Sequence, residues 1–220
     1  MELVTLAILG MILVVPEIVA KIVEQYQARK TMKEEADSLR QSLEQYASTY
    51  SFEDADIPMI EACRDYLSRR FPDGIESSFN QLETLEEREQ FAREIIGELA
   101  SCMNVKVSSI EFSNMSVELY GQAVPNNDGA CKICLNRAVL VADPRQFVKT
   151  ICHELRHVVQ YKSFTENTWG HSPARVAQWL YSWNNYVSCT SATNYLAYSS
   201  QIIEVDANKY ADELFKDLNM

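Results

Sequence analysis

Two of the chain's three histidines fall within five residues, in His153-Glu154-Leu155-Arg156-His157. On a helix, residues four apart project from one face, so both imidazoles can reach a single ion. Zinc takes imidazole nitrogen at about 2.0–2.1 Å and, in catalytic sites, uses three protein ligands and leaves a position for water. Glu154 is offset along the helix, near that water without being a ligand. The pattern points to metal-assisted hydrolysis of a peptide bond, with Glu154 as general base and proton carrier to the leaving amine.

A third ligand has to come from elsewhere. The metzincin arrangement needs glycine and histidine three and six residues past His157, and Gln160 and Ser163 stand there, which excludes that class. His171, in the loop just past the motif, can ligate or assist. Glu204 is the stronger candidate, early in a downstream helical stretch, with Asp206 as the fallback. Asn208 lies one turn beyond Glu204, a spacing that would let it buttress a ligand histidine. Tyr195, Tyr198 and His171 are candidates for donating a hydrogen bond to an oxyanion. Aromatic residues as dense as those between Trp169 and Tyr198 more often pack than react. Arg156 would face the cleft or pair with a surface acid.

The elements around these residues are legible from period and punctuation. Asp56 before Ile57-Pro58 starts a helix that ends near Phe71-Pro72-Asp73-Gly74. Thr84-Leu85-Glu86-Glu87 fits a capping box and opens a helix with Phe91, Ile95 and Leu99 inward. Alternation then predicts three strands: Val105 to Phe112 with an irregularity near Ser108-Ser109, Val117 to Ala123, and Ile133 to Val141 after the turn Pro125-Asn126-Asn127-Asp128-Gly129. Asp143-Pro144 begins the motif helix, reaching about Tyr161 with Phe147, Ile151, Leu155 and Val158 inward. Further helices are expected over about 173–190, with Val176, Leu180, Trp183 and Val187 on one stripe, and over about 202–218. The expected class is α+β, mostly helical, with a small antiparallel sheet preceding the metal-binding helix.

At this level the chain resembles the zinc peptidase-like domains of the ImmA/IrrE type. The likeness rests on His-Glu-Leu-Arg-His and on Glu204, Ala207, Asn208, Tyr210 and Ala211, which fit that family's E-x-x-A-N-x-[FY]-A pattern. The upstream helix, short strands and Ile133-Cys134-Leu135-Asn136 are also similar, so the resemblance covers roughly residues 80–218. It implies a zincin, gluzincin-type fold, a zinc ion on His153, His157 and Glu204, and Glu154 as catalyst. Such domains are often bacterial or phage proteins that cleave a regulatory partner. The family usually carries glycine where this chain has Arg156, and no helix-turn-helix is recognisable here. The alternatives are a catalytically idle zincin-like interaction module and a toxin or effector domain.

Length and charge set the remaining expectations. The 220 residues carry a formal charge of −11, which disfavours nucleic acid as a partner because phosphate binding needs clustered Lys and Arg. A protein or peptide substrate fits better. Residues 1–23 form a hydrophobic segment that could serve as a membrane anchor, residues 24–55 a helical linker and residues 56–220 the metallopeptidase domain. Thirteen apolar residues from Leu3 to Val15 are short for a bilayer, and extension to Val23 has to include Pro16, Glu17 and Lys21. If the segment spans, the positive residues that follow it place the domain on the cytoplasmic face. Six cysteines with no scaffold-like spacing, including Cys131-x-x-Cys134, read as buried or strand residues in a reducing compartment.

Overall fold

The computed structural model describes residues 50–116, 119–126, 130–141, 143–189 and 195–216, together with Glu24, Gln27, Lys30, Gln41, Gln45, Ser48 and Thr49. The chain divides into two compact units, residues 1–48 and 49–220. In the first, the described positions are helical and exposed, and Ser48 Oγ donates to the carbonyl of Gln45 at 2.8 Å. The hydrophobic segment expected at 1–23 lies outside the described residues. Among the described residues no helix is long and apolar enough to cross a membrane.

The second unit is α+β. Helix α1 spans Ile57–Arg70, α2 Ile75–Phe79 and α3 Leu85–Cys102. Strands β1 (Val107–Ser113), β2 (Gly121–Pro125) and β3 (Cys131–Asn136) follow. Then come α4 (Arg137–Val141), α5 (Pro144–Thr165), α6 (Pro173–Asn184), α7 (Tyr195–Ser199) and α8 (Ile202–Leu214).

The sheet order is β1-β3-β2. β2 and β3 form the expected antiparallel hairpin, but β1 runs parallel to β3, so the sheet is mixed and not antiparallel. The chain leaves β1, crosses to the far edge for β2 and returns through the middle as β3. The central strand is accordingly buried on both faces, and its Cys131 and Cys134, three apart, point to opposite sides of the pleat. All six cysteines are free thiols. The irregularity expected in β1 is present as a register shift between Val107 and Ser109. Val139 to Val141 belong to α4 rather than to β3, an apolar run too short for period to separate strand from helix.

Two of the helix starts read from sequence form as side-chain-capped ends, whereas Asp56 makes no side-chain cap at the start of α1. Thr84 accepts from the Glu87 N–H while Glu87 reaches back to the Thr84 N–H, which anchors α3. Asp143 accepts from the N–H groups of Arg145 and Gln146, with Pro144 behind it, which fixes where α5 begins. From there α5 runs through the middle of the unit. Its apolar face (Phe147, Ile151, Leu155 and Val158) joins Leu67, Ile95, Leu99 and Leu135 in one core. Its other side is also covered, so Glu154, Arg156, His157 and Gln160 are buried as well. α6 turns Trp179 and Ser182 inward and leaves Leu180 exposed, a face rotated from the expected stripe, and it ends at Asn184, short of the expected Val187. Trp179 is claimed there by the guanidinium of Arg156, 5.1 Å from its ring, and by the His171 ring at 4.9 Å.

Candidate metal centre

α5 and α8 pack against each other and bring three side chains to one point. His153 Nε2 and His157 Nε2 are 3.0 Å apart. Glu204 Oε2 lies 3.2 Å from the first, and its Oε1 lies 3.4 Å from the second. Four ligands at about 2.0–2.1 Å around a tetrahedral ion would sit roughly 3.3 Å from one another, and the observed separations scatter about that value. Ligating atoms of all three residues lie within 4.8 Å of each other, and Glu204 Oε2 is a buried oxygen with no hydrogen-bond partner. The group could hold a metal ion, and its nitrogen and carboxylate donors are of the type zinc accepts.

The electrostatics of the group follow from its burial. Desolvation alone would push the Glu204 carboxyl up, but His157 and His153 beside it hold it well below the usual carboxylate range. Burial likewise disfavours a charged His157, yet Glu204, together with Glu154 and Gln160, outweighs this and raises its pKa to about 9. Glu154 is 4% exposed, and here desolvation prevails over the two histidines, so its carboxyl is raised.

Glu154 is positioned by the sheet edge as well as by its helix. The Ala123 N–H, on the side of β2 facing away from β3, donates to its carboxylate. Gly121 supplies the room: a Cβ there would stand 2.7 Å from Glu154 Oε1 and 2.8 Å from its Cγ. A cavity of about 220 Å³ opens beside Glu154, walled largely by Leu119, Val124, Trp183, Tyr186 and Ile203. On the other side of Glu154 lies a more polar groove with Lys149, His153, Tyr195 and Asn208 on its walls.

The remaining candidates are distributed differently from the expectation. Tyr198 borders both the cavity and the groove, and burial and Glu204 drive its hydroxyl far above its ordinary pKa, so it stays protonated. Tyr195 is half exposed on the groove wall. Asn208 is exposed, and Gln160 supports His157 instead, its Oε1 2.8 Å from His157 Nδ1. His171 is not with the other two histidines: its Nε2 lies 3.0 Å from Asp56 Oδ1, and its ring packs on Trp179. Asp206, the fallback ligand, lies two residues past Glu204 on α8, turned the other way toward Arg156. Arg156 neither faces the cleft nor meets a surface acid. It is fully buried, pairing with Asp206 through Nε at 2.7 Å and with Asp56 through Nη1 at 2.7 Å.

Two contributors escaped the sequence. Tyr186 donates to Glu204 Oε1 at 3.2 Å, and nothing in its local pattern set it apart from the aromatic residues around it. Gln160, three residues past His157, had a readable signal, since that spacing places it beside the histidine on one face.

No family model, curated protein or solved structure matches the chain. Any functional reading therefore rests on the site itself.

Proposed function

We propose that the chain is a zinc-dependent peptidase of the zincin type, acting on an extended segment of a protein or peptide. The observation that carries this reading is the convergence of His153 Nε2, His157 Nε2 and Glu204 on one point, with Glu154 buried beside it. The likeness of the same residues to the ImmA/IrrE pattern supports it.

His153, His157 and Glu204 would hold the ion, which when bound supplies a water of lowered pKa and a Lewis acid for the scissile carbonyl. Glu154, its carboxyl raised by burial, would take the proton of the attacking water and carry it to the nitrogen of the breaking C–N bond. Tyr198 stays protonated beside Glu204 and would turn its hydroxyl to negative charge building on the carbonyl oxygen, while the single O–H of Tyr186 is given to Glu204. β2 is an edge strand, and an extended peptide could add to its outer side beyond the Ala123 N–H that Glu154 occupies, placing one side chain in the adjoining cavity. A volume of about 220 Å³ is below the about 300–1,000 Å³ typical of small-molecule sites, and its walls suit an apolar side chain.

The test compares wild type with Glu154→Gln on a proteome-derived peptide library, with zinc measured in both. The reading expects about one zinc per chain in each and cleavage only by wild type. Identical cleavage patterns would remove Glu154 from the chemistry, and protein that stays metal-free after zinc reconstitution would remove the site.

A further inference from the structure

A helix carrying two metal-ligating histidines has to solve an orientation problem that its own backbone leaves open. An imidazole has two nitrogens, and only the one whose lone pair faces the ion can bind, so something has to keep the proton on the other. Around His157 the donors and acceptors settle this by elimination. The Gln160 amide nitrogen lies 3.0 Å from the carbonyl oxygen of Ile203 and 2.6 Å from Asp206 Oδ2. Both neighbours are acceptors, so they take the two N–H donors of the amide. Its oxygen is then left to face His157 Nδ1 at 2.8 Å and can only accept. Nδ1 keeps its proton, so Nε2, beside His153 and Glu204, is the nitrogen that gives up a proton and turns its lone pair to an ion.

The same elimination runs one step further back. Asp206 would not hold the amide in this sense if it were protonated or turned. It receives Arg156 through Nε at 2.7 Å and Nη2 at 3.1 Å, Arg175 Nη1 at 3.3 Å and the hydroxyl of Tyr50. Arg156 is itself clamped from the opposite side by Asp56, and its guanidinium lies between the rings of Trp179 and Tyr210. Every member from Arg156 to His157 is buried.

We infer that Gln160, Asp206 and Arg156 form a positioning chain that sets His157 as an Nε2 ligand, and that this is why an arginine stands inside the HExxH motif. The inference rests on the metal reading above, and it assigns Arg156 a task at the site although it never faces the cleft. Residues Tyr50 and Asp56, which precede the motif by about a hundred positions, are part of the same support.

The probe is cobalt(II), titrated into the metal-free full chain and followed by its visible absorption bands, with circular dichroism of each metal-free protein as the control for folding. Gln160→Met keeps the shape and removes the acceptor. It is expected to weaken cobalt binding by about 10–100-fold, the usual effect of losing such a support, and to alter the band pattern. Gln160→Glu keeps an acceptor at Nδ1, and its other oxygen, facing Asp206 at the 2.6 Å of the lost amide contact, holds the one proton that two such close carboxyls share and so remains a donor. Cobalt binding is then expected within about threefold of wild type, a rescue that a merely space-filling role would not give. Gln160→Met protein that binds cobalt like wild type, or Gln160→Glu protein that binds no better than Gln160→Met, overturns the chain. If Gln160→Met unfolds, Gln160→Glu alone decides, with retained binding supporting the chain and lost binding overturning it. Wild type that takes up no more cobalt than His153→Ala defeats the metal reading itself, and the inference with it.

Discussion

Gly121→Ala isolates the general base from the metal. The added methyl would sit 2.7 Å from Glu154 Oε1, a shortfall of about 0.7 Å against the 3.4 Å at which ordinary contact begins. Gly121 has no positive φ, so alanine adds no backbone strain, and the strand keeps its pairing with Leu135. The group that must give way is the Glu154 side chain from Cγ outward, which would have to turn away from the Ala123 N–H that holds it. Catalysis tolerates such a shift poorly: a misplacement of about 1 Å can cost about 10²-fold in rate, equivalent to about 2.7 kcal/mol in the barrier. The expected outcome is a kcat lowered by up to about 10²-fold on peptides that wild type cleaves. Zinc content should be unchanged, since the three atoms nearest the new methyl all belong to Glu154, and the melting temperature should stay within a few degrees. Wild-type kcat would refute the steric argument, and loss of zinc would show that Gly121 supports the ligands rather than Glu154.

Zinc uptake should release a proton near neutral pH, because His157 in the metal-free chain titrates at about 9 and the ion has to displace its proton. Apparent affinity then rises by up to about tenfold per pH unit until about pH 9, which calorimetry in buffers of different ionisation enthalpy would measure. Arg156→Met should cost about 3–5 kcal/mol by removing the guanidinium shared by Asp56 and Asp206, and it should flatten the acid limb of stability. In wild type, burial raises both carboxyls but Arg156 holds them below the usual carboxylate range. Their contribution is therefore present above the unfolded carboxylate pKa of about 3.9 and lost as pH falls through the folded values. In the variant burial is still opposed by His171 and the Glu53 N–H at Asp56 and by Tyr50, Gln160 and Arg175 at Asp206, so both carboxyls should move up, less stability should be lost as pH falls, and urea titrations from about pH 2 to 6 would show the shallower slope. Asp143→Ala should remove the cap of α5 at a cost of about 1 kcal/mol, visible as a lower urea midpoint with zinc binding intact.

What the sequence revealed and what it hid divide along the range of the interactions. His153, Glu154 and His157 are set by helical period alone, and the caps at Thr84 and Asp143 by neighbours within three residues. Glu204 lies some fifty residues from the motif and was reachable only because its own helix carries a repeatable pattern. Arg156 was the reverse case. Its partners Asp56 and Asp206 lie a hundred residues upstream and fifty downstream, so nothing local could say that this charge is buried. The parallel placement of β1 was hidden for a similar reason, since turn residues between β2 and β3 specify a hairpin while the link from β1 to β2 leaves either edge open. Gly121 looked like an ordinary strand residue because the object it makes room for is brought in by another element.

The arginine enclosed between Asp56 and Asp206 also bears on how such a sequence can drift. Replacing Arg156 alone leaves two carboxylates of one sign in the interior, so that single change passes through a weakened intermediate while a concerted one need not. A relative with glycine at position 156 should therefore also have lost the acids at 56 and 206, and the three positions should be inherited as a block. Chains of this kind would then fall into two separated groups, with the charged interior and without it, and few sequences between them.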